Sequence, residues 1–420
     1  MKKLLLISAF AISSLSVLAQ FSITGEIRPR SEFRNGFKKL NSDATAPAFF
    51  TEQRSRIYMD YKSDQYVVRI SLQDIRIWGD TPQIFKADNG MTAISEAWGL
   101  VRFTPKVGLK IGRQIISYDN QRYLGGLEWA QQGRRHDAVV LQLEDGDKKL
   151  KFHLGAAYNQ SGTIPEPKKV FGNDYLDVAN YKAMQYAWFH KDFEGGGLSV
   201  LAFNESKQYA TTADSISMRQ TLGAVASKAV AGIKLAGEGY YQTGKVGLTD
   251  VSAFMFDFNA TFKTSITPIT VGYQYLSGSE SGATEINHFT PAYGTNHMHN
   301  GFMDYFYVGN PHGNAGLQDI YVKTKFKAGE KGVLIGHAHQ FMSASTVLDG
   351  EGASMSSSFG TEVDLVYALK LNPATTINVG YSHLIGTETL QAVKGGDHQS
   401  LNNWAWVMIT VKPKFFESTN

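Results

Sequence analysis

No cysteine occurs anywhere in the 420 residues, which excludes a disulfide framework, a thiolate metal site and a lipid-anchored N-terminal cysteine. Beyond the first twenty residues, no stretch approaches the ~20 consecutive apolar residues of a transmembrane helix. A membrane protein with this sequence is confined to a closed barrel, because only helices and closed barrels satisfy every backbone polar group in lipid. Sustained helical periodicity is also missing, as are a nucleophile elbow, a zinc-protease motif and a phosphate-binding glycine loop. The sequence therefore gives no ground for an enzyme, a cofactor or a nucleic-acid partner. Arginine is almost absent from the last two-thirds: Arg219 apart, every arginine precedes residue 136. The formal net charge of +3 thus understates how basic the first third is.

What is present begins with "MKKLLLISAFAISSLSVLAQ". Lys2 and Lys3, an apolar run, and Val17 and Ala19 before Gln20 have the three-part form of a secretory signal peptide. This predicts a signal over residues 1–19 and a single exported domain over 20–420.

From there to the end the chain alternates with period two. In "AFMFDFNATFKT" (253–264), Phe254, Phe256, Phe258 and Phe262 share one parity, opposite Met255, Asp257, Asn259, Thr261 and Lys263. Successive side chains of a strand point to opposite faces, so the segment has one apolar and one mostly polar face. "KLKFHLGAAYN" (149–159) and "EVDLVYALKL" (362–371) repeat the pattern. The chain reads as all β, with about eighteen candidate strands from 21–34 to 401–415. A moderate 43% hydrophobic content suits a barrel whose apolar residues are diluted by an inward polar set.

The connections sort by length. Those after even-numbered strands are tight turns such as "KSDQ", "TPKV", "EDGDKK" and "LNPAT", whereas most after odd-numbered strands are longer, over 35–50, 79–92, 118–135, 161–179 and 279–315. Short periplasmic turns and long extracellular loops are the pattern of an up-and-down antiparallel transmembrane β-barrel. Lipid and lipopolysaccharide of an outer membrane then become its surroundings. Phe415 and Phe416 near the end of the last strand suit recognition by the barrel-insertion machinery.

Arginine parity points inward. Glu26, Arg28, Arg30, Glu32 and Arg34 lie opposite Ile23, Ile27 and Phe33, while Arg54, Arg56 and Asp60 lie opposite Ile57, Met59 and Tyr61. Arg69 and Arg102 also fall opposite apolar neighbours. Arginine on the lipid face costs about 2–4 kcal/mol at the midplane, so these residues are expected in the lumen as one basic wall. Guanidinium pairs with carboxylates through a bidentate fork, so such a wall favours anions, with acidic saccharides the natural candidates. The same arginines also suit a bracing network with the lumen acids Glu26, Glu32, Glu52, Asp60, Asp74 and Glu96, and the two roles coexist. His297 and His299 in a long loop, and His337 and His339 on one strand, are read as polar loop and lumen residues rather than metal ligands. "EDGDKK" lacks the spacing of a calcium loop and reads as a hairpin turn.

Several stretches resemble the alginate export family of bacterial outer-membrane barrels: "GEIRPRSEFR" (25–34), "EQRSRIYMDY" (52–61), "SLQDIRIWGD" (71–80), "LKIGRQIISYDNQRYLGGLEWAQQGRRHDAVVL" (109–141) and "HFTPAYGTNHMHNGFMDYF" (288–306). They cover the N-terminal third and one late loop; elsewhere only the rhythm of strands and turns matches. The resemblance implies an eighteen-stranded barrel with an arginine-rich, electropositive constriction that selects an anionic uronate polymer; periplasmic export partners are a partner class the sequence leaves open. It adds Arg76, Arg113, Arg122 and Arg134 to the expected pore lining, although alternation from Leu109 and Ile111 faces Arg113 to lipid unless a bulge intervenes. Two other functions stay open: a small-solute porin with weak selectivity, and a barrel enzyme acting on lipid.

Overall fold

The computed structural model describes residues 20–80, 91–160, 175, 180–209, 215–307 and 312–418. The signal peptide expected over 1–19 lies outside them. The wall begins with β1 (Gln20–Asn35), β2 (Ala48–Lys62), β3 (Tyr66–Ile77), β4 (Met91–Thr104), β5 (Val107–Gln114) and β6 (His136–Asp145). It continues through β7 (Leu150–Tyr158), β8 (Ala183–Phe193), β9 (Gly196–Gln208), β10 (Ile216–Val230), β11 (Ile233–Val246) and β12 (Thr249–Lys263). It ends with β13 (Pro268–Leu276), β14 (Leu317–Lys327), β15 (Gly332–Met342), β16 (Ser358–Asn372), β17 (Thr375–Gly386) and β18 (Asn402–Val411). Each strand pairs antiparallel with its sequence neighbours and β1 closes on β18, so among the described residues eighteen strands form one closed up-and-down barrel.

The strand expected over 401–415 is interrupted. Proline has no N–H to give to a ladder, and the pairing breaks at Lys412 and Pro413. It resumes as β19 (Lys414–Glu417) along the lower part of β1, with Ser22 opposite Glu417. The Gly25 N–H donates to the Pro413 carbonyl at 3.0 Å and bridges the gap.

Parity sorts the two faces as expected. On β12, Phe254, Phe258 and Phe262 are exposed on the outer face, while Ala253, Met255 and Asp257 are buried within. On β1 and β2, Ile27 and Ile57 face outward and Arg28, Arg30, Arg54 and Arg56 face inward. The register sets Arg28 directly opposite Arg54 and Glu26 opposite Arg56.

Arg76 and Arg113 depart from the expected inward placement. Arg76 and Asp74 keep the outward parity of Ile70 and Leu72 on β3, and the two pair with each other, with Arg76 Nη2 donating to Asp74 Oδ2 at 2.6 Å. Thr92 Oγ1 of β4 donates to the same Asp74 oxygen at 2.9 Å. Arg113 keeps the outward parity of Ile111, the register through Ile111, Gly112 and Arg113 is continuous without a bulge, and its partner is outward-facing Asp137 at 3.1 Å. Asp74 is therefore not a lumen acid. The physical reason is height. Both pairs sit at the extracellular ends of their strands, above the apolar band, where the penalty for charge on the lipid face falls to about 0–1 kcal/mol.

An amide chain lies on the outer face of β8–β10, near the extracellular ends of those strands. Gln220 Nε2 donates to Asn204 Oδ1 and Asn204 Nδ2 donates to Gln185 Oε1, each at 2.7 Å. These outward polar groups mark the upper limit of the apolar band. Below them, a Phe258→Arg substitution is expected to destabilise the folded barrel by about 2–4 kcal/mol. Urea titration of the protein in lipid bilayers, followed by heat-modifiable gel mobility, checks this; an unshifted midpoint would place Phe258 away from lipid.

Candidate functional site

Two long connections fold into the barrel. Residues 115–135, between β5 and β6, run across the lumen. At one end Arg122 is fully buried against β11 and β13, donating to Glu238 at 2.9 Å and to Gln274 at 2.7 Å, while the Tyr123 hydroxyl meets Thr221 of β10 at 2.8 Å. At the other end residues 128–132 lie on β1–β3. This segment is a crossbar from one side of the wall to the other.

The second inward segment, described over residues 277–307 and 312–316, docks on the first. The Gly125 N–H donates to the Tyr293 carbonyl at 2.9 Å and the Thr295 N–H to the Gln121 carbonyl at 2.8 Å. The Trp129 and His297 rings stack with centroids 4.5 Å apart. His297 Nδ1 lies 2.8 Å from Asp304, and the Met303 N–H donates to Glu362 of β16 at 2.8 Å. Through these contacts the two loops reach strands around most of the circumference.

The basic wall lies beneath the crossbar. Arg28 donates to the carbonyl of Glu128 at 2.8 Å, to that of Trp129 at 3.2 Å and to Gln131 Oε1 at 2.7 Å. Arg30 donates to the Trp129 carbonyl and to Glu32, both at 2.7 Å, pairs with Glu52, and sits over the Trp129 ring. Arg54 pairs with Glu26, with Nε donating at 2.8 Å. Arg56 donates to Glu128 Oε2 at 2.7 Å, to Gln73 at 2.9 Å and to the Gln132 carbonyl at 3.2 Å. All four arginines are buried. Breaking a buried, hydrogen-bonded charge pair costs about 3–5 kcal/mol, because it leaves one charge uncompensated. The carbonyls of 128–132 are therefore as necessary to the wall as the wall is to them.

The remaining expected residues divide between lumen and rim. Arg69 pairs with Asp60 at 2.6 Å and lies 3.7 Å from Glu96, both on the inner face. Arg102 faces inward at the periplasmic end and donates to the Ser63 carbonyl at 3.4 Å. Arg134 donates to the carbonyls of Tyr293 and Gly294, the latter at 2.8 Å. It lines a cavity of about 470 Å³ together with Lys38, Trp129, Arg135, Tyr293, His297, Asp304 and Tyr307.

Glu128 collects the positive charge: burial opposes its ionisation, but the guanidiniums of Arg135, Arg56 and Arg54 hold its carboxyl below the ordinary range. Lys38, Trp129, Arg135, His297 and Asp304 carried no alternating pattern from which to place them. The adjacent Trp129 and Arg134–Arg135 of "LEWAQQGRR" were the one compositional signal.

The return of the second segment depends on a neutral histidine. His312 is buried and its Nδ1 accepts the Gly316 N–H at 2.8 Å. Burial, reinforced by neighbouring His288, holds His312 down to about 3. An unfolded His312 takes up a proton near its ordinary value and the folded one does not. Local stability is therefore intact above about pH 6.5 and falls as pH drops toward 3, by roughly 1.4 kcal/mol per unit. Amide protection factors in residues 277–307, corrected for the intrinsic pH dependence of exchange, are expected to be lower at pH 4.5 than at pH 7, with the difference removed by His312→Gln. Equal protection at both pH values would contradict this.

Solved structures similar to this one include outer-membrane proteins of Pseudomonas aeruginosa. The outer-membrane protein OpdK matches with a TM-score of 0.62 at 10% identity, covering 94% of this chain and 99% of that one. OccD3 (OpdP) matches with a TM-score of 0.62 at 11% identity, covering 94% and 92%. OpdK with vanillate matches with a TM-score of 0.60 at 10% identity, covering 94% and 99%. At these identities the likeness shows the fold, a porin-like outer-membrane β-barrel. No curated protein matches the sequence significantly. The profile of the family described as alginate export matches residues 19–403, nearly the whole barrel with both inward segments, and the chain therefore belongs to the alginate export family.

Proposed function

We propose that the protein is an outer-membrane channel for anionic solutes, of the acidic, uronate-type saccharide class, which pass along the arginine wall of β1 and β2. The observation that carries this reading is the state of two guanidiniums, one buried and one half-buried. Among the described residues, Arg28 and Arg134 hydrogen-bond only to neutral oxygens, namely backbone carbonyls and the Gln131 amide. A carboxylate that replaces such a carbonyl gains a charge-assisted, bidentate partner. Several such contacts of moderate strength let a solute enter and leave again. Arg28, Arg30, Arg34, Arg54, Arg56, Arg134, Arg135 and Lys38 also outnumber Glu26, Glu32, Glu52, Glu128 and Asp304 around this region, so the local field favours anions.

The cavity supports a second reading, in which short carboxylates are the solute. Its volume of about 470 Å³ is that of a small-molecule site, and vanillate, which accompanies OpdK, is a carboxylate small enough to enter such a space. Under either reading the crossbar has to exchange its hold on the arginines for a hold by the solute.

Planar-bilayer recordings test the proposal. The wild-type channel is expected to be anion-selective, and Arg28→Ala with Arg134→Ala should move its reversal potential toward zero. Unchanged selectivity would remove the two guanidiniums from the passage. Block of single-channel current by oligouronates, with none by neutral oligosaccharides of equal length, is the expected result for the polymer class. Block by vanillate or glucuronate alone would favour the short carboxylates.

A further inference from the structure

About a quarter of the way round the barrel from the arginine wall, β14–β16 carry a cluster that the transport reading does not use. The register places His337 directly opposite Asp364 and His339 directly opposite Glu362. His339 and Asp364 are buried, His337 is half-buried, and one ligand atom from each of the three lies within 4.8 Å of the others.

We propose that His337, His339 and Asp364 form a binding site for a divalent transition-metal ion, Zn²⁺ in type, on the lumen wall. Three observations support the assignment. The first is orientation: His339 Nδ1 lies 2.8 and 3.0 Å from the two carboxylate oxygens of Asp319 on β14. A carboxylate on one ring nitrogen fixes the tautomer and leaves the other nitrogen with its lone pair aimed at the ion, as in carboxylate–histidine–zinc arrangements. The second is unmet demand. His339 Nε2, His337 Nδ1 and Glu362 Oε2 have no hydrogen-bond partner, and His339 is only 1% exposed. Buried polar atoms are nearly always paired, so three orphans at one place mark a missing partner. The third is charge, because Asp319, Glu362 and Asp364 are all fully buried, and buried carboxylates are stable only when paired or bound to a cation.

The donor set of imidazole nitrogens and a carboxylate oxygen suits zinc or a neighbouring first-row ion. Ligand atoms about 2.0–2.2 Å from such an ion stand about 3.4 Å apart in a tetrahedron. The ligand atoms, within 4.8 Å of one another, have to draw in by up to about 1.4 Å, and the half-buried His337 ring, whose Nδ1 has no hydrogen-bond partner, is the part best able to move. The inward segment covers the site. Its Phe302 ring lies 4.9 Å from His337, its Met303 N–H donates to Glu362, and Gly301, at φ 75°, passes so close to Glu362 that a Cβ there would meet Oε1 at 2.5 Å. An ion held here fastens residues 301–303 to the wall.

The test is a titration of the tag-free full-length barrel in detergent with Zn²⁺ alone, read by calorimetry. One equivalent is expected to bind, His337→Ala and Asp364→Asn should abolish the binding, and Asp319→Asn should weaken it by about 10- to 100-fold. Should a variant fail to fold, X-ray absorption of the zinc-loaded wild type reads the same site; two imidazole nitrogens and a carboxylate oxygen are expected in the first shell. The absence of saturable binding, or a first shell without imidazole, would overturn the site. So would a protonated-carboxyl infrared band that persists at full zinc, since it would mean that Glu362 and Asp364 share a proton instead.

Discussion

The structure turns on what a permanently charged guanidinium requires once it leaves water. Lipid cannot accept it, and a dry lumen wall can accept it only where every donor finds an oxygen. The arginines of β1 and β2 fall on the inner face by parity, and the acids that share their strands serve only part of their donors. The rest of the demand is met from 76 to 100 residues away in sequence, by the backbone carbonyls of residues 128–132. That debt explains why a segment with the length of an extracellular loop lies inside the barrel. It also explains why the second inward segment docks upon the first.

The wall was legible because a strand's alternation survives in any sequence that must show lipid one face and water the other. Phe254, Phe258 and Phe262 of β12 announce both the strand and its orientation, and the tight turns announce the next strand. The pairings Glu26 with Arg54 and Asp60 with Arg69 follow from parity and adjacency alone. Two things were not legible. Height along a strand is invisible to parity, so Arg76 and Arg113 were expected in the lumen or left in doubt, although their nearest carboxylates, Asp74 and Asp137, stand beside them on the outer rim. The crossbar was hidden because it works through main-chain carbonyls, which every residue possesses and no sequence pattern specifies.

The two sides of the lumen differ in kind. The β1–β2 side carries cations whose needs are met partly by carboxylates and partly by exchangeable neutral oxygens. The β14–β16 side carries buried carboxylates and imidazoles with needs left open. The two inward segments lie between them and join both through the stack of Trp129 on His297. A change in how either side is satisfied is thus transmitted to the same pair of segments.

The broken last strand bears on the order of assembly. β1 is sealed partly by β18 and partly by β19, so the seam joins the two ends of the chain and cannot form until the whole chain is available. The interruption at Pro413 lets the final edge meet β1 in two short registers instead of one long one.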